Sequence, residues 1–171
     1  MAIPHILYIS PGLLKRSRGK YLSRSDLQQL ALNRTCFIGA HGLTHRNLRD
    51  CNSVEMRHEI LTSKLMLEDL ISREIKSFSF PYGAATYAAI QVLQESGFTS
   101  AVTSRTGVIH SESNPFLLNR TEIAPGEEDC LFNLKIKGAF DWHHLRQYDL
   151  NEIQRQLMSD STETAYLQQW L

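Results

Sequence analysis

Short apolar runs alternate with longer amphipathic stretches along most of this chain. Residues 3–10 (IPHILYIS) predict a strand stopped by Pro11-Gly12, since proline and glycine punctuate local structure. Ser25-Asp26-Leu27-Gln28 has the form of a capping box, so a short helix to about Asn33 is expected. Residues 35–40 (TCFIGA) predict a second strand. Asn52-Ser53-Val54-Glu55 then caps a long helix to about Ser72, with Met56, Ile60, Leu67 and Ile71 as an apolar stripe at helical spacing. Residues 75–80 form the third expected strand, ended by Pro81-Tyr82-Gly83. A helix over 86–95 follows, with Gly97 placed to end it, and then a strand over 99–103. A fifth strand is expected over 116–119, a helix over 129–140, and a last helix capped by Asp149-Leu150-Asn151-Glu152.

Strand and helix in alternation predict an α/β fold with a parallel sheet and crossover helices. The strands expected at ILYI and CFIG are almost wholly apolar, as strands covered on both faces are. In such sheets the chemistry gathers at the carboxyl ends of the strands. His41 follows one such end, and Pro81-Tyr82-Gly83 follows the next.

Composition narrows the function classes. With 18 basic and 18 acidic residues the net charge is zero, which argues against a general binder of nucleic acid or anionic membrane. Three cysteines, Cys36, Cys51 and Cys130, without CxxC spacing, predict a reducing compartment and no disulfide framework. No segment reaches the about 18 consecutive apolar residues of a membrane span. No signal peptide is visible, so the default expectation is a cytoplasmic protein.

The chemistry centres on IGAHGLTHRNL, residues 38–48, where His41 and His45 stand four apart. Imidazole is the commonest metal ligand, and two at this spacing share a face if the turn is helical. A catalytic zinc also needs a third protein ligand and an open position for water. The nearby acids are Asp50, Glu55 and Glu59; the last two begin a helix, where the dipole explains them. The spacing alone therefore admits two readings, a metal-binding pair or one buried and one exposed histidine. Pro81-Tyr82-Gly83 likewise reads either as site or as an ordinary turn.

At these residues the chain resembles the NodB-homology polysaccharide deacetylases. His41-Gly42-Leu43-Thr44-His45 is similar to their H-[ST]-x-x-H motif, with Gly42 in place of Ser or Thr. Glu59-Ile60 with Ser63-Lys64 and Leu67-Glu68 resembles their long helix, and Phe78-Ser79-Phe80-Pro81-Tyr82-Gly83 their F-x-x-P-Y-G strand end. Gly97-Phe98-Thr99-Ser100-Ala101-Val102 and Asn119-Arg120-Thr121-Glu122-Ile123 resemble later strands.

The resemblance covers about residues 1–142, leaving 143–171 as a C-terminal helical extension. It implies a partial, deformed β/α barrel and metal-dependent hydrolysis of N- or O-acetyl groups on a carbohydrate. It implies a divalent metal, zinc foremost, on His41 and His45. The Tyr82 backbone N–H would meet the oxyanion, and Pro81 and Tyr82 would contact substrate. His110 is the nearest counterpart of the family's late acid.

Two features of the family have no counterpart. The opening strand that ends in paired aspartates, source of the base and the third ligand, is missing; the chain begins at what resembles the second strand, Ile3-Pro4-His5-Ile6-Leu7-Tyr8-Ile9. The late L-x-H motif, source of the family's general acid, has no clear counterpart beyond His110. Ser79 stands where many members carry Arg, as in a subset that can keep the aspartates, and does not decide the issue. Impaired catalysis is therefore expected, with a non-catalytic carbohydrate-binding or assembly module as the alternative. An apolar first strand left at a sheet edge further predicts a homo-oligomer or a complementing chain there.

Overall fold

The computed structural model describes residues 4–14 and 21–139. The chain divides into two compact units, Met1–Val102 and Thr103–Leu171. The expected boundary at 142 and the last expected helix lie outside the described residues.

The first unit holds β1 (His5–Ile9), α1 (Arg24–Leu32), β2 (Cys36–Ala40), α2 (Ser53–Ile71), β3 (Ser77–Ser79), α3 (Tyr87–Glu95) and β4 (Ser100–Val102). Its four strands form one parallel sheet in the order β1-β2-β3-β4. Each connection is a helical crossover, the α/β arrangement that the alternation predicts. Between β1 and β2 the register pairs His5 with Cys36 and Ile9 with Ala40, so residues 5, 7 and 9 share a face with 36, 38 and 40.

That face is the covered one. Cys36, Ile38 and Ala40 are buried, as are Leu27 and Ala31 of α1 and Met56, Ile60 and Leu67 of α2. On the opposite face Ile6 pairs with Phe37, and the two stay 44% and 52% exposed. Tyr8 closes over Gly39 there and reaches the Ser77 hydroxyl at 2.8 Å. Ser77 in turn accepts from Ser100 at 3.1 Å. β1 stands at one end of the strand order, the edge position expected from the sequence.

Helix starts follow capping chemistry, with one correction. Ser23, not Ser25, caps α1: its hydroxyl accepts from the Asp26 N–H while Asp26 accepts from the Ser23 N–H. The sequence offers two overlapping boxes, and the one with a charged carboxylate at the third position wins. Asn52 and Glu55 form the expected reciprocal box on α2. Thr86 caps α3, and Gly97 follows it at φ +78°.

α2 buries more than its apolar stripe. Lys64 sits inside, donating to the Ile75 carbonyl, pairing with Glu68 at 2.8 Å and lying 4.9 Å over the Phe98 ring. Burial pushes the Glu68 carboxyl up, but Lys64 and the Ile75 N–H outweigh it and hold Glu68 below the usual carboxylate range. A lowered folded-state pKa gives stability that is present above the unfolded value of about 4.3 and is lost as pH falls through the folded value. Urea unfolding at pH 7 and pH 3 should therefore show a smaller acid loss for Glu68→Gln than for the unaltered chain.

The second unit is described from Thr103 to residue 139. The strand expected over 116–119 is absent. Leu118 makes a single backbone bridge, accepting from the Thr103 N–H at 2.9 Å. Asn114 and Pro115 start a turn there instead, in which the Leu117 N–H bonds to the Asn114 carbonyl. α4 (Asp129–Ile136) is shorter than the helix expected to residue 140. Lys135 on α4 pairs with Glu127 and donates to the Glu122 carbonyl at 2.7 Å.

Candidate metal-binding site

β2 ends at Ala40 and releases the chain into a loop, not a helix, so the two histidines meet by a route that helical spacing does not describe. Gly42 at φ +71° and His45 at φ +63° turn the chain back on itself. The His41 and His45 rings end 4.7 Å apart at 78°. Two imidazoles on one tetrahedral zinc, with Zn–N near 2.0–2.1 Å, hold their centroids about 5 Å apart. The pair therefore fits a shared ion.

The His41 ring is oriented from behind. Its Nδ1 lies 2.6 Å from the Ser79 carbonyl oxygen. A carbonyl can only accept, so Nδ1 carries the proton and the neutral ring has its lone pair on Nε2. A backbone carbonyl that fixes the tautomer in this way is the usual support of a histidine ligand.

The loop is gripped from several sides. The His41 N–H donates to the Ile9 carbonyl at 3.0 Å, and Ser10 Oγ donates to the His41 carbonyl at 2.7 Å. The Gly12 N–H donates to the Leu43 carbonyl at 2.9 Å. From α2, Glu59 Oε2 accepts from the Leu43 and Thr44 N–H groups, both at 2.9 Å, and Oε1 accepts from Thr44 Oγ1 at 2.6 Å. Glu59 is thus part of the loop's support, not only an acid placed for the helix dipole.

Pro81-Tyr82-Gly83 forms a short 3-10 turn at the end of β3. Pro81 is buried and its ring lies 3.5 Å from where a Cβ on Gly42 would stand. Tyr82 takes φ +58°, a conformation that costs a residue with a side chain about 1–3 kcal/mol and gathers at functional sites. Its ring is 70% exposed and stands 4.9 Å from His45. The first unit so brings His41, His45 and Tyr82 together. His110 belongs to the second unit, in an exposed turn where its own N–H donates to Ser113 Oγ at 2.9 Å.

Among the described residues no third histidine, cysteine or carboxylate joins the pair in a cluster. Glu59 is turned to the backbone. Burial pushes the Cys51 thiol up, against the pull of Arg46, which disfavours a thiolate ligand. Two imidazoles are fewer than the three protein ligands usual for a catalytic zinc.

The histidine pair and the Pro-Tyr-Gly turn thus stand at the ends of neighbouring strands of one parallel α/β sheet. The sequence model of the polysaccharide deacetylases matches residues 14–101, and the chain belongs to that family. YxkH of Bacillus subtilis (strain 168), a protein assigned to the polysaccharide deacetylases, is 19% identical over 118 residues, which are 69% of this chain and 42% of YxkH. The solved structure of BC0361, a polysaccharide deacetylase from Bacillus cereus, superposes with a TM-score of 0.71 at 16% identity, over 80% of this chain and 42% of that one. BA3943 from Bacillus anthracis, a CE4 family pseudoenzyme, gives a TM-score of 0.50 at 14% identity, over 58% of this chain and 33% of that one. The chain therefore spans less than half the length of each of these proteins. No described helix is long and apolar enough to cross a membrane.

Proposed function

We propose that this chain carries the two-histidine part of a carbohydrate deacetylase metal site, and that a carboxylate from outside the described residues completes it. The observation that carries the reading is the His41–His45 pair at 4.7 Å with His41 anchored on the Ser79 carbonyl. His41 and His45 would hold a divalent ion, zinc foremost. Such an ion supplies a water of lowered pKa and polarises an acyl oxygen. Tyr82 would offer its backbone N–H to the developing oxyanion and its exposed ring to the sugar. Hydrolysis needs a base near the attacking water, and no carboxylate of the first unit's described residues joins the histidines. Catalysis by the described residues alone is accordingly impaired. His110 is given no role that the reading depends on.

The position of β1 at the end of the described strand order gives the completing segment a place to add, as a strand beside residues 6–9 from a second chain or a further segment. A second reading, a non-catalytic carbohydrate-binding module, is favoured by the incomplete donor set among the described residues.

An assay on an acetylated sugar oligomer with zinc or cobalt separates the two. It is run on the chain as it stands and on a version with an added N-terminal strand ending in paired aspartates. Turnover only in the extended version is the expected result. Full turnover by the unextended chain sinks the impairment. An extended version that binds the oligomer without releasing acetate favours the module.

A further inference from the structure

We propose that Glu59 is a positioning residue of the histidine loop, setting the angle between His41 and His45 by shape and not by charge. The inference rests on the reading of that pair as a metal site. Glu59 is only 4% exposed, in the second turn of α2. Burying a carboxylate is costly unless its oxygens are met by donors. Here the donors are two successive loop amides, Leu43 and Thr44, and the Thr44 hydroxyl. Those two residues are the whole of the chain between Gly42 and His45. Successive amides aimed at one oxygen form a small anion cradle.

The cradle fixes the two peptides that lead up to Thr44, the residue before His45, whose φ of +63° the loop must hold. It also defines the room at Gly42, where a Cβ would stand 3.3 Å from Glu59 Oε2. With both oxygens occupied by the loop, Glu59 acts on an ion only through the histidines.

Two substitutions separate shape from charge. Glu59→Gln keeps the length: its carbonyl oxygen can accept both amides while its NH₂ donates to Thr44 Oγ1. Glu59→Asp keeps the charge but is one methylene too short to reach the cradle. Zinc affinity is measured by calorimetric titration of the whole chain, with His41→Ala as reference and circular dichroism showing that each variant is folded. The expected result is Glu59→Gln within about threefold of the unaltered chain and Glu59→Asp weaker by about 10- to 100-fold, the range for supports of metal ligands.

Hydrogen exchange in the metal-free protein gives a second readout. Leu43 and Thr44 amides should exchange faster in Glu59→Asp while those of Ile60 and Leu93 keep their rates. A structural role spread over the fold would move all of them together. Loss of affinity in Glu59→Gln with retention in Glu59→Asp overturns the proposal, as does no loss in either. If the unaltered chain binds zinc no better than His41→Ala, the metal reading itself fails, a result distinct from a Glu59 that proves idle.

Discussion

Phe78→Ala should remove about 3–5 kcal/mol from the stability of the first unit, the usual cost of emptying a buried phenylalanine site. Phe78 has no exposed surface and is the middle residue of β3. Its backbone sits between Ala40 of β2 and Ala101 of β4, so three of the four strands meet at this position. Its ring stands edge-on to Phe80 at 5.5 Å and to Phe98 at 5.6 Å. A natural domain holds only about 5–15 kcal/mol in reserve, so the loss leaves the unit marginal. The Phe80-Pro81 segment that leads to Tyr82 loses its packing partner at the same time. Urea denaturation followed by circular dichroism reads the change as a lower midpoint with unchanged slope. Phe37→Ala serves as the contrast. Phe37 lies on the uncovered face, half exposed, and its removal should cost less than about 1 kcal/mol, well under a buried ring. Equal losses at the two positions would mean that the face carrying Ile6 and Phe37 is covered in solution, by a second copy or by another part of the chain.

The order of elements was legible because it rests on periodicity. Apolar runs at 35–40 and 75–80 and the stripe through Met56, Ile60 and Leu67 give strand, helix and strand with nothing else needed. The misplaced features have local causes. Two overlapping boxes at Ser23 and Ser25 differ only in which third residue answers the cap. The run Phe116-Leu117-Leu118 is apolar enough for a strand, yet among the described residues it finds one bridge, at Leu118, and pairing partners cannot be read from an isolated run.

Of the candidate site, the histidine pair and the Pro-Tyr-Gly turn were legible, and what supports them from behind was not. Ser79 acts through its carbonyl, and a backbone group leaves no mark in the residue type. Glu59 did leave a mark. It falls in phase with Met56, Ile60, Ser63, Lys64 and Leu67, all buried on one side of α2. A carboxylate in the buried phase of a helix must find donors, and that requirement is stronger than the dipole that also suits an early acid. Lys64 carries the same signal and resolves it differently, by pairing with Glu68 on its own helix.

Gly12→Ala tests how firmly the histidine loop is held from the side opposite Glu59, and a 10- to 100-fold loss of zinc affinity is expected, about what losing a support of metal ligands brings. A Cβ at residue 12 would stand 2.6 Å from the Leu43 carbonyl oxygen. That neighbour is backbone and cannot rotate aside. The Gly12 N–H also donates to the same oxygen, so the contact cannot open without breaking a hydrogen bond. The turn at Pro11 has little freedom to retreat, because Pro11 is buried and Ser10 is tied to the His41 carbonyl. The loop cannot simply advance either, because the Leu43 and Thr44 amides are held by Glu59. Overpacking of this kind costs about 1–3 kcal/mol of stability, which urea unfolding reads. Calorimetric titration with zinc reads the displacement of the rings. Combined with Glu59→Asp, the two losses of affinity should fall short of their sum, since both substitutions release the same peptide and a loop already freed from one side yields to the other. Simple additivity would mean that Gly12 and Glu59 act on the histidines by separate routes, and the picture of one loop clamped between two walls would have to be given up.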